Sequence, residues 1–398
     1  MSSITREKLS QAAEIVSASG IDVWLTFVRE TALGGDPILE LIIEGGLTWQ
    51  SALMVTSTGQ KIAIVGNYDA DPLDSSGDWD EVIPYIQGIR TPLLEQLERI
   101  VPEGGKIGVN YSTNNVKSDG LSHGMYLLLQ GYLAGTRFES SLVSAEEIVT
   151  ELRGVKTSSE VAFVKSAIDQ TDRLFDDIGS FAKIGITERA VYDMVHQKLK
   201  ERELGFAWDP AGDPIVNSGP NSMIGHGIAS STITLEVGHV FHIDLGVIKD
   251  GYASDIQRCW YVGEPGDPIP DDVQHILDSV NGAISAAARV LKPGALGYEV
   301  DAAARNFLVG CGYEEYLHAL GHQVGRVAHD GGAVLGPQWE RYGDTPRTPV
   351  KKGEVYTLEL GVISKTRGYL GLEEMVVVTE DGCEFLSDRQ LTIATIGR

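Results

Sequence analysis

Residues 239–255 read HVFHIDLGVIKDGYASD, and this stretch predicts a β-hairpin that carries acidic side chains. The turn lies near Lys249-Asp250-Gly251, so that Asp244 and Asp255 are expected nearly opposite each other on the paired strands. Successive strand residues alternate between the two faces, which places both carboxylates on one face. Since Asp244 lies among apolar residues, burying it without a partner is costly. A bound cation removes that cost, and the hairpin therefore predicts a metal site.

A second hairpin repeats this arrangement further along the chain. The segment 355–362, VYTLELGV, and the segment 371–378, GLEEMVVV, flank a polar turn at about 364–368. Strand alternation puts Glu359 and Glu373 on one face, whereas Glu374 is expected on the other face, where an alanine should be tolerated. Two hairpins that each present a pair of carboxylates indicate a metal centre more strongly than either hairpin alone.

A histidine completes the candidate ligand set. His322 follows a predicted helix and lies in ALGHQVG, residues 319–325. Four carboxylates and one imidazole suit divalent cations, and we expect two ions, manganese first, with cobalt, zinc or iron as alternatives. The set is too rich in oxygen for a structural zinc site. Two such ions can hold a hydroxide between them at neutral pH and polarise a carbonyl, which indicates a hydrolase.

Composition limits the class of protein. The chain has 398 residues, enough for about two domains of ordinary size. Its net charge of −24 disfavours nucleic acid and anionic membranes as partners. Three widely spaced cysteines provide neither a disulfide framework nor a thiolate zinc site. The first residues lack an apolar signal core and no apolar run reaches about 20 residues, so we expect a soluble, cytoplasmic protein.

The order of predicted elements indicates an α/β (α+β) chain of two domains, residues 1–152 and 153–398. The first domain alternates helical and strand patterns, and a polar stretch at 144–160 ends it. In the second domain, helices followed by a hairpin occur twice, which hints at a structural duplication. The predicted helices are 158–183, 187–203, 270–291 and 297–311, and the predicted strands are 237–247, 252–262, 354–363 and 371–378.

These motifs, in this order, resemble those of the pita-bread metallopeptidases, a superfamily that includes prolidase, aminopeptidase P, methionine aminopeptidase and creatinase. The shared motifs are D-x-G at Asp244, G-Y-x-S-D ending at Asp255, G-H at His322, T-x-E at Glu359 and E-E-x-V-x-V-T from Glu373. The resemblance covers about residues 150–398. It implies a pita-bread catalytic domain, while residues 1–152 are similar to a creatinase-type amino-terminal domain in size, position and α/β character.

The resemblance also implies roles for the ligands. Asp244 would chelate one metal, His322 and Glu359 would hold the other, and Asp255 and Glu373 would bridge the two. Glu359 would in addition carry a proton from the water nucleophile to the leaving amine, which requires a carboxylate within reach of both groups.

Further residues enter through the same resemblance. His226, in NSGPNSMIGHG, matches a histidine that lines the substrate pocket, and His329 matches one that hydrogen-bonds the scissile carbonyl or the oxyanion. Gly371 stands where the family has an arginine, two residues before the last ligand. We expect Arg367 to replace it in binding substrate, and the alternatives are Arg326, Arg341 and Arg347.

The resemblance implies a peptidase that cleaves Xaa-Pro bonds in dipeptides or short peptides, with a bridging hydroxide as nucleophile, and a homodimer. A non-peptidase hydrolase or lyase on the same fold, as in creatinase, is an alternative. A degenerate binding module is another. Creatinase-like proteins and degenerate modules tend to lose metal ligands, and the complete ligand set therefore disfavours creatine hydrolysis and the binding module. A lyase that uses the metal ions stays an alternative.

Overall fold

The computed structural model describes residues 4–225, 227–264 and 266–397. The chain divides into two compact units between Arg153 and Gly154, next to the predicted boundary. Within the described ranges no helix is long and apolar enough to cross a membrane.

The first unit is built on a mixed sheet with helices on its faces. Its elements are α1 (Ile4–Ser19), β1 (Val23–Val28), α2 (Leu39–Ile42), β2 (Ser51–Thr56), β3 (Lys61–Gly66), α3 (Ala70–Ser76), β4 (Glu81–Tyr85), α4 (Arg90–Ile100), β5 (Ile107–Val109), α5 (His123–Leu133), β6 (Leu142–Ser144) and α6 (Glu146–Gly154). The strand order is β4-β3-β2-β1-β5-β6. β2 pairs in the antiparallel sense with both β1 and β3. The other pairs are parallel: β4 with β3, β5 with β1, and β6 with β5.

Strand β1 lies at the centre of this sheet because both of its faces are apolar. Its sequence, VWLTFV, is buried at every position, as is typical of a strand covered on both sides. Trp24 shares one core with Leu9 of α1. Leu25 points to the opposite side and shares a second core with Leu93 of α4 and Leu129 of α5.

The second unit contains the predicted helix-and-hairpin segments. Its elements are α7 (Ser158–Phe181), α8 (Glu188–Glu201), β7 (Gly205–Phe206), β8 (Ile215–Ser218), β9 (Val240–Leu245), β10 (Val247–Lys249), β11 (Tyr252–Ala253), β12 (Ile256–Val262), α9 (Asp271–Val290), α10 (Gly297–Gly310), β13 (Val355–Ser364), β14 (Gly368–Val378), β15 (Cys383–Phe385) and β16 (Ala394–Ile396). The helices begin and end close to their predicted limits.

A helix pair packs against each half of the main sheet of this unit. The strand order is β13-β14-β12-β9-β8. Apolar residues of α7 and α8 share a core with β9 and β12, whereas those of α9 and α10 share a core with β13 and β14. The same helix-and-hairpin arrangement therefore occurs twice in the unit, as the order of predicted elements suggested.

The first hairpin differs from its prediction in register. The turn consists of Asp250 and Gly251, which both have positive φ, 52° and 79°. Such a two-residue turn fixes the pairing of every residue beyond it. As a result Gln257 is the residue opposite Asp244. Asp255, which was expected nearly opposite Asp244, lies two residues before Gln257 on the same strand segment. The two carboxylates are diagonal neighbours on one face rather than directly opposed.

The structure also contradicts the expectation that Glu374 is tolerant of change. Glu374 does lie on the other face of β14 from Glu373, but it is fully buried. Its carboxylate forms an ion pair with Arg258 of β12, with an Oε2–Nη2 distance of 3.1 Å. It also accepts hydrogen bonds from the Ser387 hydroxyl and the Gln390 backbone. Burial raises the pKa of Glu374, and the nearby guanidinium opposes that shift.

We expect Glu374→Ala to lower the free energy of unfolding by about 3–5 kcal/mol, because it leaves Arg258 buried without its counter-charge. Urea unfolding of the purified variant measures this loss. The double variant Arg258→Met, Glu374→Leu is the control and should lose less, since no buried charge remains unpaired. A loss below about 1 kcal/mol for the single variant contradicts this account.

Candidate metal centre

Acidic side chains form a row across the main sheet of the second unit. Glu359 of β13 pairs with Glu373 of β14, Glu373 pairs with Gln257 of β12, and Gln257 pairs with Asp244 of β9. Directly paired residues of antiparallel strands project to the same side of the sheet. Asp255 precedes Gln257 by two residues and projects to that side as well. The two predicted hairpins thus bring all four carboxylates to one place.

His322 joins the carboxylates from the loop between α10 and β13. Its Nε2 atom lies 3.6 Å from Asp255 Oδ2 and 3.6 Å from Glu359 Oε1. Ligand atoms of Asp255, His322 and Glu373 lie within 4.8 Å of one another. Backbone hydrogen bonds hold the loop against β13, and a Cβ at residue 321 would lie only 2.0 Å from the Thr357 carbonyl oxygen. Glycine before His322 therefore permits this close approach.

Burial shifts the protonation of the whole cluster. It raises the pKa of Asp244 to about 7 and that of Glu359 to about 8. The pKa values of Asp255 and Glu373 are raised well above their usual range, first by burial and then by the neighbouring carboxylates. Burial, followed by the proximity of His329, lowers the pKa of His322 to about 3. The imidazole is therefore neutral, as a metal ligand must be.

The donor set fits divalent cations. Within the described part of the chain, the buried atoms Asp244 Oδ1 and Glu373 Oε1 have no hydrogen-bond partner. Buried carboxylate oxygens without a donor are costly unless a cation or proton neutralises them. Clustered carboxylates with one neutral imidazole are ligands that divalent transition-metal ions accept.

Gln257 was missed by the sequence analysis. Its amide nitrogen donates to Glu359 Oε2 and to Glu373 Oε2, at 3.1 Å in each case. Its carbonyl oxygen lies 3.0 Å from His242 Nε2, and His242 Nδ1 lies 3.2 Å from Asn217 Oδ1. This chain of contacts fixes which carboxylate oxygens face the cluster. The signal was available, because Gln257 is opposite Asp244 once the turn is placed at Asp250-Gly251.

Comparisons with known proteins agree with this geometry. Residues 162–380 match metallopeptidase family M24. The chain belongs to that family. It is 31% identical over 243 residues to the Xaa-Pro dipeptidase of Pyrococcus furiosus, and the matched region covers 61% of this chain and 65% of that protein. The chain therefore matches a little less than two thirds of the length of this curated relative.

Solved structures share the fold over nearly the whole chain. The Xaa-Pro dipeptidase from Bacillus anthracis has a TM-score of 0.74 at 23% identity, and the match covers 98% of this chain and 100% of that one. The X-Pro aminopeptidase from Thermotoga maritima has a TM-score of 0.69 at 24% identity, with coverage of 98% and 99%. These likenesses confirm the predicted fold class, a pita-bread domain preceded by an α/β domain.

The remaining predicted residues have different outcomes. The His329 ring lies edge-on to the His322 ring, with centroids 4.1 Å apart, and so borders the carboxylate cluster. His226 lies outside the described residues. Its role in the substrate pocket stays a prediction.

The structure does not support Arg367 as a substrate-binding residue. Its guanidinium donates to both carboxylate oxygens of Asp272, at 2.8 and 3.1 Å, and to the Gly238 carbonyl oxygen at 2.9 Å. These acceptors engage every nitrogen of the group. The alternatives also have contacts of their own: Arg341 donates to the Leu317 carbonyl, Arg347 donates to Asp344 and Gln338, and Arg326 lies over the ring of Tyr252.

The raised pKa values predict how the metal-free protein responds to pH. Folded Asp244 and Glu359 hold protons up to about pH 7 and about pH 8, whereas the unfolded groups release them near 3.8 and 4.5. Between the ordinary pKa values and the raised ones, the folded state binds more protons than the unfolded state. The free energy of unfolding therefore falls as the pH rises from about 4 to about 8. The lowered pKa of His322 makes stability increase with pH, but only below the ordinary histidine value of 6.5.

Thermal unfolding of chelator-treated protein should therefore give a lower Tm at about pH 8 than at about pH 6.5. The gain in Tm on adding Mn²⁺ should be larger at the higher pH, since ligand protons no longer compete with the metal. A Tm of the metal-free protein that increases across this range contradicts the assigned protonation.

Gln257→Leu should lower Mn²⁺ affinity by about 10–100-fold, because Glu359 and Glu373 lose the donor that orients them. Isothermal titration of metal-free protein with Mn²⁺ measures the affinity. Gln274→Leu on the exposed side of α9 is the matched control and should bind as the unaltered protein does. Equal affinities for the two variants would show that Gln257 does not position the ligands.

Proposed function

We propose that this chain is a peptidase that hydrolyses Xaa-Pro bonds in dipeptides or short peptides with the help of two divalent metal ions, manganese first. The observation that carries the proposal is the row of Glu359, Glu373 and Asp244 across paired strands, with His322 Nε2 at 3.6 Å from two carboxylates. The name of the Pyrococcus furiosus relative, Xaa-Pro dipeptidase, supports the choice of bond.

The proposed ligand assignment follows the arrangement of the side chains. Asp244 would hold one ion, His322 and Glu359 the other, and Asp255 and Glu373 would contact both. Several acidic neighbours raise the pKa values of Asp255 and Glu373 in addition to burial, which supports a central place for these two carboxylates. When bound, two such ions lower the pKa of water and polarise a carbonyl group.

Glu359 is the proposed proton carrier. It is only partly buried, and its Oε2 accepts from Gln257 while its Oε1 faces His322. In the proposed reaction Glu359 takes a proton from the attacking water and gives it to the proline nitrogen as the bond breaks.

His329 is the proposed donor to the scissile carbonyl. Its ring borders His322, so a donor nitrogen at this place can stabilise negative charge that develops on the carbonyl oxygen. We retain His226 as a proposed substrate-binding residue on the strength of the sequence motif alone.

The proposal also covers partners and location. A short peptide is the substrate, and nucleic acid and membranes are not partners, since the net charge of −24 repels polyanions. We propose a cytoplasmic homodimer, in which the dimer rests on the resemblance described above.

A substrate panel tests the function. The purified protein is stripped of metal, reloaded with Mn²⁺ or Co²⁺, and assayed with Ala-Pro, Ala-Pro-Ala, Met-Ala-Ser and creatine. We expect cleavage of the Ala-Pro bond and none of Met-Ala-Ser or creatine. Absence of Xaa-Pro cleavage with either metal would refute the proposed function.

Glu373→Ala tests the ligand assignment. The variant should lose at least one bound metal and with it the activity, because the proposed assignment has Glu373 contact both ions. Metal content is measured by mass spectrometry after dialysis, with the exposed Glu384→Ala as a control that keeps both ions. Two ions bound per chain in the Glu373 variant would rule out the assignment.

A further inference from the structure

The space next to the metal cluster on the β13–β14 hairpin is filled by the ring of Tyr369. Gly361 and Gly371 pair with each other on the same face as Glu359 and Glu373, two residues nearer the turn on each strand. A Cβ at residue 371 would lie 2.4 Å from Tyr369 Cε1, and a Cβ at residue 361 would lie 2.5 Å from its hydroxyl oxygen. The two glycines therefore admit the ring, which folds back over them.

This position brings the phenol hydroxyl over Gly361, which lies two residues from Glu359 on β13. The ring of His242 lies against the phenol in an edge-on contact, with centroids 4.8 Å apart. A tyrosine hydroxyl ordinarily keeps its proton near neutral pH, so it can act as a donor. Within the described residues no hydrogen bond to this hydroxyl is found, although the side chain is half-buried. The hydroxyl is thus a neutral donor available to a bound molecule.

We propose that Tyr369 is a substrate-binding residue whose hydroxyl donates to the peptide carbonyl that follows the proline, and that the site consequently prefers peptides continuing beyond the proline to free Xaa-Pro dipeptides. This inference rests on the proposed function and specifies its substrate class. It also gives Gly371 a role, since a side chain there would displace the phenol.

Charge explains why a neutral acceptor is preferred. A dipeptide presents a carboxylate after the proline, and carboxylates are best bound by a guanidinium or an ammonium group. On this hairpin the guanidinium of Arg367 is committed to Asp272 and Gly238. Tyr369 instead supplies one neutral hydrogen bond, which does not by itself offset the cost of taking a carboxylate out of water. A peptide or amide carbonyl is neutral and therefore costs less to take out of water.

Two substrates that differ at a single group test the preference. Ala-Pro carries a free carboxylate, whereas Ala-Pro-amide carries a neutral carbonyl at the same place. The manganese-loaded protein should cleave the amide with a kcat/KM at least about tenfold higher, because the carboxylate of Ala-Pro loses water without gaining a guanidinium or ammonium partner. Equal or better cleavage of Ala-Pro overturns the proposed preference while leaving the proposed function intact.

Tyr369→Phe removes the donor and keeps the ring. It should lower kcat/KM for Ala-Pro-amide about tenfold, mainly through KM. Tyr313→Phe is the matched control, because its hydroxyl contacts His275 away from the cluster. Metal content is determined for each variant, so that a loss of binding is not confused with a loss of metal.

Gly371→Ala provides a second variant that keeps the hydroxyl but moves it. The added Cβ displaces the ring, and kcat/KM for the amide should fall as it does in Tyr369→Phe. Unchanged amide cleavage in Tyr369→Phe refutes the role of Tyr369. A wild-type protein that cleaves no Xaa-Pro bond refutes the proposed function and this inference together.

Discussion

Four carboxylates lie together inside the second unit, and the mutual repulsion of these groups is the constraint on which the site depends. Burial raises the pKa values of Asp244, Asp255, Glu359 and Glu373, so without a cation the cluster retains protons. Packing of the surrounding elements has to hold these four side chains close together. The helix pairs behind β9–β12 and β13–β14 supply that packing through two apolar cores.

The register of the two hairpins decides which side chains meet at the site. The Asp250-Gly251 turn fixes which residue of β12 faces Asp244, and the long β13–β14 hairpin fixes the pairing of Glu359 with Glu373. A slip of one residue in either hairpin would turn its carboxylates into the apolar core. The turn is therefore as important to the site as the ligands themselves.

Polar residues around the carboxylate cluster hold its side chains and strands in place. Gln257 holds two carboxylates and is itself held by His242. On the opposite face of β14, the Arg258–Glu374 ion pair connects β12 to β14 at the point where those strands meet. The sequence pattern indicated the four carboxylates and His322, whereas the contacts of Gln257 and Tyr369 became visible only in the packed structure.

The sequence by itself determined the fold class and the helix-and-hairpin order, and it predicted that four carboxylates and one imidazole come together, because strand alternation and buried charge are local properties. It also indicated the family. Only the tertiary structure decided the rest. Asp255 proved diagonal to Asp244 because the turn type sets register, and Arg367 proved to bind Asp272, a residue distant in sequence. Glu374 and Tyr369 could not be assessed from alternation, since burial against other elements and the space above a glycine pair exist only once the strands have come together.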